Sequence, residues 1–301
     1  MIKKPRQVPK ELLMARSLNA RNGLLEDEKW RIEKGMVGEI RFDSMTDELL
    51  HSKCWIINGL WLKSGDSIFQ IDKVLIFPKK IYLIDVKNFE GDYHYDSSGH
   101  FKKADKYLKD PLNQLQRAED LFRQLLQQYG FQFEIQSFLV YINPEFTLYN
   151  APQNEFVIHP TQVNRFLKKL SNEYSKLNDA QEKLADLLVS LDLVNSPYAS
   201  YPSFSFEGLR KGIMSSACHK LSTTVERDKL VCDDCGAEEA LDAAVLRSIR
   251  ELMMLFPEMK ITSNLVYEWC GGVVSKRTIR RILKKNFQLI RKSKYSYYVE
   301  F

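Results

Sequence analysis

The chain has 301 residues, 44% hydrophobic and 28% charged, with a net charge of +5. That is too long for one small core and too apolar for a disordered chain, and no apolar run reaches the roughly 20 residues that cross a bilayer. The basic opening MIKKPRQVPKELLMARSLNA lacks an apolar signal core, so a soluble, cytoplasmic protein with no membrane partner is expected.

In chain order, residues 1–23 read as a basic N-terminal arm. Residues 24–50 predict a helix, because Leu24, Leu25, Ile32, Met36, Ile40 and Leu49 recur at near-helical spacing. Three apolar, strand-like stretches follow at 54–62, 67–77 and 80–88, the last two joined by a turn short enough for a hairpin. A helix is expected over 106–129, closed by Gly130, and then another strand over 135–142. Residues 161–193 are again helical in pattern, which completes an α/β body over 24–194. Turn formers around Asn195-Ser-Pro-Tyr predict a linker over 195–212. A cysteine-bearing segment (213–240) and a short, mostly helical tail (241–301) come last.

The chemistry centres on Ile84-Asp85-Val86-Lys87. Residues two apart in a strand share a face, so Asp85 and Lys87 project together while Ile84 and Val86 turn into apolar packing. An acid and a base in so apolar a strand need a cleft or each other. Asp72, in the preceding strand, meets Asp85 across the hairpin, so the two carboxylates can share a hard divalent cation, Mg²⁺ or Mn²⁺. Lys87 would then lie beside the water or phosphate that such an ion activates. Glu39 follows Gly38, where the lack of a side chain permits close approach, and can reach the same site as a ligand or base. Gln114, on the helix after the strands, can donate to a phosphate or hold a water. Each alone has a bland reading as a surface ion pair or an ordinary helix residue. The order Gly-Glu, Ile-Asp, Asp-x-Lys-Asn, Pro-x-x-Gln is the specific signal.

That ordered set, Gly38-Glu39, Gln70-Ile71-Asp72, Ile84-Asp85-Val86-Lys87-Asn88, Gly91 and Asn113-Gln114, closely resembles the NERD (nuclease-related domain) family of PD-(D/E)xK nucleases over about residues 30–150. The resemblance implies a restriction-endonuclease-like fold, a mixed central sheet flanked by helices. It implies Asp72 and Asp85 as metal ligands, Lys87 as the catalytic lysine, and Glu39 and Gln114 as auxiliary site residues. The family more often has Glu where this chain has Asp85. The activity implied is metal-dependent hydrolysis of phosphodiester bonds in DNA. The alternative is a nucleic-acid-binding or regulatory protein, weak or inactive, on the same fold.

The cysteines number five, Cys54, Cys218, Cys232, Cys235 and Cys270, an odd count that argues against a disulfide framework and for a reducing compartment. Cys232-Asp-Asp-Cys235-Gly236 is spaced to place two thiolates on one Zn²⁺. Cys218 offers a third ligand and His219 a fourth, giving a structural Cys₃His zinc site or, alternatively, a degenerate set of free thiols. Proteins that resemble this chain tend to carry a second Cys-x-x-Cys upstream, where Ser215 stands in place of the first cysteine.

The charge is uneven: residues 247–294 hold 12 Lys/Arg against 3 Asp/Glu, and the rest of the chain must be net acidic. Helices are expected over 243–256, from Thr262 or Ser263 to Gly271, and over 276–286, followed by a hairpin over 288–300. This is a winged helix-turn-helix-like plan. Lys276, Arg277, Arg280, Arg281 and Lys284 on the third helix, with Lys292 in the hairpin, are the candidate nucleic-acid contacts, most readily with DNA. Packing against a protein partner or a second copy is the competing use of this surface.

Overall fold

The computed structural model describes residues 1–300 apart from Pro152, Ser175, Ser196, Pro197, Ser293 and Lys294. In chain order the elements are β1 (Ile2–Lys4), α1 (Lys10–Asn22), α2 (Glu26–Leu49), β2 (Trp55–Ser64), β3 (Ser67–Ile76), β4 (Lys80–Lys87), β5 (Gly91–Tyr95), β6 (Phe101–Lys103), β7 (Lys106–Tyr107), α3 (Pro111–Gln128), β8 (Glu134–Tyr141), β9 (Phe146–Tyr149), β10 (Val157–Ile158), α4 (Val163–Leu170), α5 (Asp179–Ser190), β11 (Thr223–Glu226), β12 (Lys229–Cys232), β13 (Glu238–Ala240), α6 (Leu241–Leu255), α7 (Ser263–Trp269), α8 (Lys276–Asn286), β14 (Gln288–Lys292) and β15 (Tyr295–Val299). They form two compact units, Met1–Pro9 with Arg31–Tyr198, and Lys10–Trp30 with Ala199–Phe301. No helix among the described residues is long and apolar enough to cross a membrane.

The first unit is built on a mixed sheet in the order β1-β2-β3-β4-β8-β10. β2, β3 and β4 form an antiparallel meander, and β8 joins β4 in parallel. β4 shows why the sheet is covered on both faces. Ile81 and Leu83 enter a core with Phe122 and Leu125 of α3 and Leu184 and Leu188 of α5. Tyr82, Ile84 and Val86 enter another with Phe42 of α2 and Phe166 and Leu167 of α4. A strand buried on both faces reads as a continuous apolar run, as 81–86 does apart from Asp85. A smaller sheet, β7-β6-β5-β9, packs Tyr93, Tyr95, Phe101 and Phe146 around Tyr141 of β8. The fold is thus α/β with a mixed central sheet flanked by helices, as expected.

Three local expectations are corrected. The helix expected from Lys106 begins at Pro111, because the residue before a proline is held extended; Asp110 has φ −70° and ψ 120°, and its carboxylate caps Leu112 N at 2.8 Å. The 161–193 helix is two helices, α5 starting anew at an Asn178–Gln181 capping box. The stretch read as an N-terminal arm holds β1, which pairs with β2, and α1, which buries Leu12, Ala15 and Leu18.

The second unit gathers α1, α6, α7 and α8 around Trp269. Phe206 and Leu209, from the stretch read as a linker, are part of this core. Arg21 of α1 is fully buried, paired with Glu251 at 2.7 and 2.8 Å and stacked 3.6 Å over Trp269, so its charge is met on both sides. β11, β12 and β13 form a small antiparallel sheet, and β14 and β15 pair antiparallel; Ser293 and Lys294 lie outside the described residues.

Candidate active site

The site forms where β3 and β4 part. Their ladder runs from Ile76–Ile81 to Lys73–Ile84 and stops short of Asp72 and Asp85. Gly59 of β2, with φ 67°, lies between the pairs Asn58–Lys73 and Leu60–Ile71. Ile71 and Val74 both enter the α3/α5 core, although three positions apart in a strand of period two. The chain therefore reverses its facing there, and the consecutive polar residues Asp72 and Lys73 both turn away from that core. Lys73 meets Asp43 of α2 at 2.8 Å. Asp72 turns its Oδ2 to the backbone N–H of Val86, 2.8 Å away, replacing the ladder bond that β3 no longer makes.

Asp72 is only 8% exposed. Burial, with the negative charges of Glu39 and Asp85 and a carboxyl contact with Asp85, holds its pKa well above the usual carboxylate value, against the pull of Lys87. Lys87 Nζ donates to Asp85 Oδ1 at 2.7 Å. The other oxygen, Asp85 Oδ2, is buried and has no hydrogen-bond partner among the described residues. Burial works against the Lys87 ammonium, but Asp85, Asp72 and Glu39 outweigh it and hold its pKa above the ordinary value. As the sequence pattern requires, Ile84 and Val86 face the other way.

Glu39 arrives from α2. Its pKa is raised by burial and by Asp43 and Asp85, opposed by Arg6 and Lys87. Gly38 makes this approach possible: a Cβ there would lie 2.5 Å from Asn88 Cβ and 3.1 Å from Ile142 Cγ2. Asn88 Nδ2 in turn donates to Lys34 O at 2.7 Å, tying the helix to the end of β4. Gln114 is exposed on the first turn of α3, and no described hydrogen bond joins it to the acids.

Two participants were not expected from sequence. Arg6 forks onto Asp43 at 2.5 and 3.1 Å, donates to Glu39, and donates to the Asp72 carbonyl at 2.9 Å. It stitches the N-terminal strand, α2 and β3 together behind the carboxylates. Tyr141, the β8 neighbour of Lys87, has a buried hydroxyl without a hydrogen-bond partner among the described residues. An isolated arginine in a polar N-terminal stretch carries no periodic signal, and Tyr141 reads in sequence as one more apolar strand residue.

In the second unit, Cys218, Cys232 and Cys235 bring their Sγ atoms within 4.8 Å of one another, and Ser215 Oγ lies 3.7 Å from Cys235 Sγ. His219, expected as the fourth ligand, is not in that group; it sits in a left-handed turn at φ 59°. On α8, Ile279, Ile282 and Leu283 are buried and Lys276, Arg277, Arg280, Arg281 and Lys284 exposed, as the pattern demands. Arg281, however, is engaged by Asp242 at 2.5 and 2.6 Å, and Lys276 lies over the Tyr267 ring. The Lys292 side chain lies outside what the structure describes.

A family model for NERD, the nuclease-related domain, matches residues 34–142. No curated protein and no solved structure matches the chain. The matched stretch runs from α2 to the end of β8 and holds Glu39, Asp72, Asp85, Lys87 and Gln114, so residues 34–142 are similar to a nuclease-related domain.

Proposed function

We propose that the protein is a divalent-metal-dependent nuclease that hydrolyses phosphodiester bonds in DNA. The observation that carries this is Asp85 Oδ2, buried without a hydrogen-bond partner among the described residues, beside the Asp72 carboxyl and the Lys87 ammonium. A buried, unpaired carboxylate oxygen is costly unless a cation completes it, and a second carboxyl beside it, Asp72, whose pKa burial raises, fits a hard ion such as Mg²⁺ or Mn²⁺. Asp72 and Asp85 would hold the ion, which supplies Lewis acidity toward a phosphate oxygen and lowers the pKa of a bound water. Lys87, fixed by Asp85, presents its ammonium to the negative charge that grows on the phosphate as the bond breaks. Glu39, with its raised pKa, can hold or accept a proton near the same point. Gln114, exposed at the start of α3, can donate to a neighbouring phosphate.

The exposed basic face of α8, in a three-helix-and-hairpin arrangement resembling a winged helix, is the second contact with the polyanion. The cysteine cluster fits a structural zinc, and the free thiols suit a reducing compartment such as the cytoplasm. One observation favours a catalytically silent binder instead: Arg6 and Lys87 already pair with Glu39 and Asp85.

Incubating the purified chain with plasmid, linear duplex, single-stranded DNA and RNA in Mg²⁺ or Mn²⁺ separates the two. Cleavage by the wild type is expected, chelator-sensitive and reduced roughly 100-fold or more in Asp72→Ala and Lys87→Ala. If no substrate is cut, or the variants cut equally fast, the silent reading stands and the nuclease reading falls.

A further inference from the structure

A tetrahedral zinc site needs four donors, and Cys218, Cys232 and Cys235 provide three. Two zinc–sulfur bonds of about 2.3 Å at the tetrahedral angle set their sulfurs about 3.8 Å apart. Cys218 and Cys232 Sγ are 3.5 Å apart, already near that spacing. The position next to them is filled by a hydroxyl: Ser215 is 3% exposed, and its Oγ lies 3.7 Å from Cys235 Sγ. The turn that follows fixes this oxygen. Ala217 N and Cys218 N both donate to Ser215 Oγ, at 3.3 and 3.4 Å; these long bonds hold the oxygen in place with its O–H toward the sulfurs, and giving up either one frees a lone pair for a metal. Ser215 and Cys218 are thus presented from one turn, three residues apart, opposite Cys232 and Cys235, also three apart on a turn closed by the Gly236 N–H to Cys232 O bond at 2.9 Å. Two like turns face each other, with three sulfurs and one oxygen at their centre.

We propose that the cluster binds one zinc ion through three thiolates, with the Ser215 oxygen, or a water it holds, as the fourth donor and His219 outside the site. This rests on the structural-zinc reading above and sharpens it. An oxygen in the fourth place makes a weaker and more exchangeable site than four thiolates, and that position is the one another donor can take.

Cobalt(II) titrated into the metal-free, full-length chain tests this without reference to cleavage. Cobalt in a tetrahedral site absorbs strongly in the visible, and the intensity of thiolate-to-cobalt charge transfer follows the number of sulfur ligands. The wild type is expected to give three-thiolate intensity, displaced by zinc, and His219→Ala to match it. Ser215→Cys, nearly isosteric, is expected to raise the charge-transfer intensity by about a third and tighten cobalt binding roughly tenfold or more, while Ser215→Ala shifts the visible bands. Loss of the tetrahedral spectrum in His219→Ala, with no added intensity in Ser215→Cys, overturns the Ser215 assignment and leaves the zinc reading in place. Absence of tetrahedral cobalt from both wild type and Ser215→Cys overturns the zinc reading as well.

Discussion

Asp72 is a carboxyl that folding makes harder to ionise. It is buried, close to two other acids, and relieved by the Val86 N–H, a long bond from Gln70 Nε2 at 3.4 Å and the neighbouring lysine. A group whose folded pKa is raised stabilises the fold in its protonated form. That contribution is complete below the ordinary carboxylate range and disappears as pH climbs through the raised value. In divalent-free buffer, Asp72→Asn keeps an acceptor for Val86 N–H but cannot ionise. Its melting temperature is therefore expected to gain on the wild type as pH rises from the acid side toward neutral, by roughly 2–4 °C per kcal/mol of relieved repulsion. Mg²⁺ or Mn²⁺ should raise the wild-type melting temperature at neutral pH and leave the variant's unchanged. A melting difference flat across pH would show that Asp72 carries no such burden. Arg6 acts on the opposite side of the same balance: it pairs with Asp43 and Glu39, and removing it would take the cation from the partly buried Glu39 and leave Asp43 to Lys73 alone, a loss of about 1–3 kcal/mol.

The element that makes the site is α2, and its seat on β4 depends on one missing side chain. A methyl at Gly38 would meet Asn88 Cβ, which is fixed to its own backbone, at 2.5 Å and the Ile142 Cγ2 methyl at 3.1 Å. Gly35, one turn earlier, has nothing within 4 Å. Gly38→Ala is expected to cost about 1–3 kcal/mol and to lower any metal-dependent cleavage by lifting Glu39 from the acids; Gly35→Ala should gain up to about 1 kcal/mol from helix propensity alone. Equal stability of the two variants in denaturant melts would remove the close-packing account of Gly38. This element was legible in sequence, as were β2, β3, β4 and β8, because apolar runs and helical spacing are strong signals that survive folding. So were Asp72, Asp85 and Lys87, since an acid or base inside an apolar strand is conspicuous. Arg6, Asp43 and Lys73 were not, for their partners lie 30 to 66 residues away, and nothing local marks a pair made through the fold. The reversal at Gly59, which turns Asp72 and Lys73 to one side, was hidden for the same reason: alternation predicts that neighbours diverge.

At the scale of the whole molecule, two compact units share one interleaved chain, and its charge is divided unequally along it. Residues 247–294 carry 12 basic against 3 acidic side chains, yet the basic residues of α8 are not equivalent. Arg281 is engaged bidentately by Asp242, which raises its pKa through that hydrogen bond and keeps it occupied. No described ion pair holds Arg277, Arg280 or Lys284, so these can exchange counterions for phosphates at little cost. Duplex binding should weaken linearly in log–log salt titration. Replacing Arg277, Arg280 or Lys284 by Ala should each reduce the slope by about one, whereas Arg281→Ala should change it much less. The comparison needs no catalysis and can be read by anisotropy in chelator. Equal slopes for all four variants and the wild type would mean that nucleic acid does not meet α8. The exposed helix would then serve a protein partner, and the nuclease-related domain would have to hold its substrate without it.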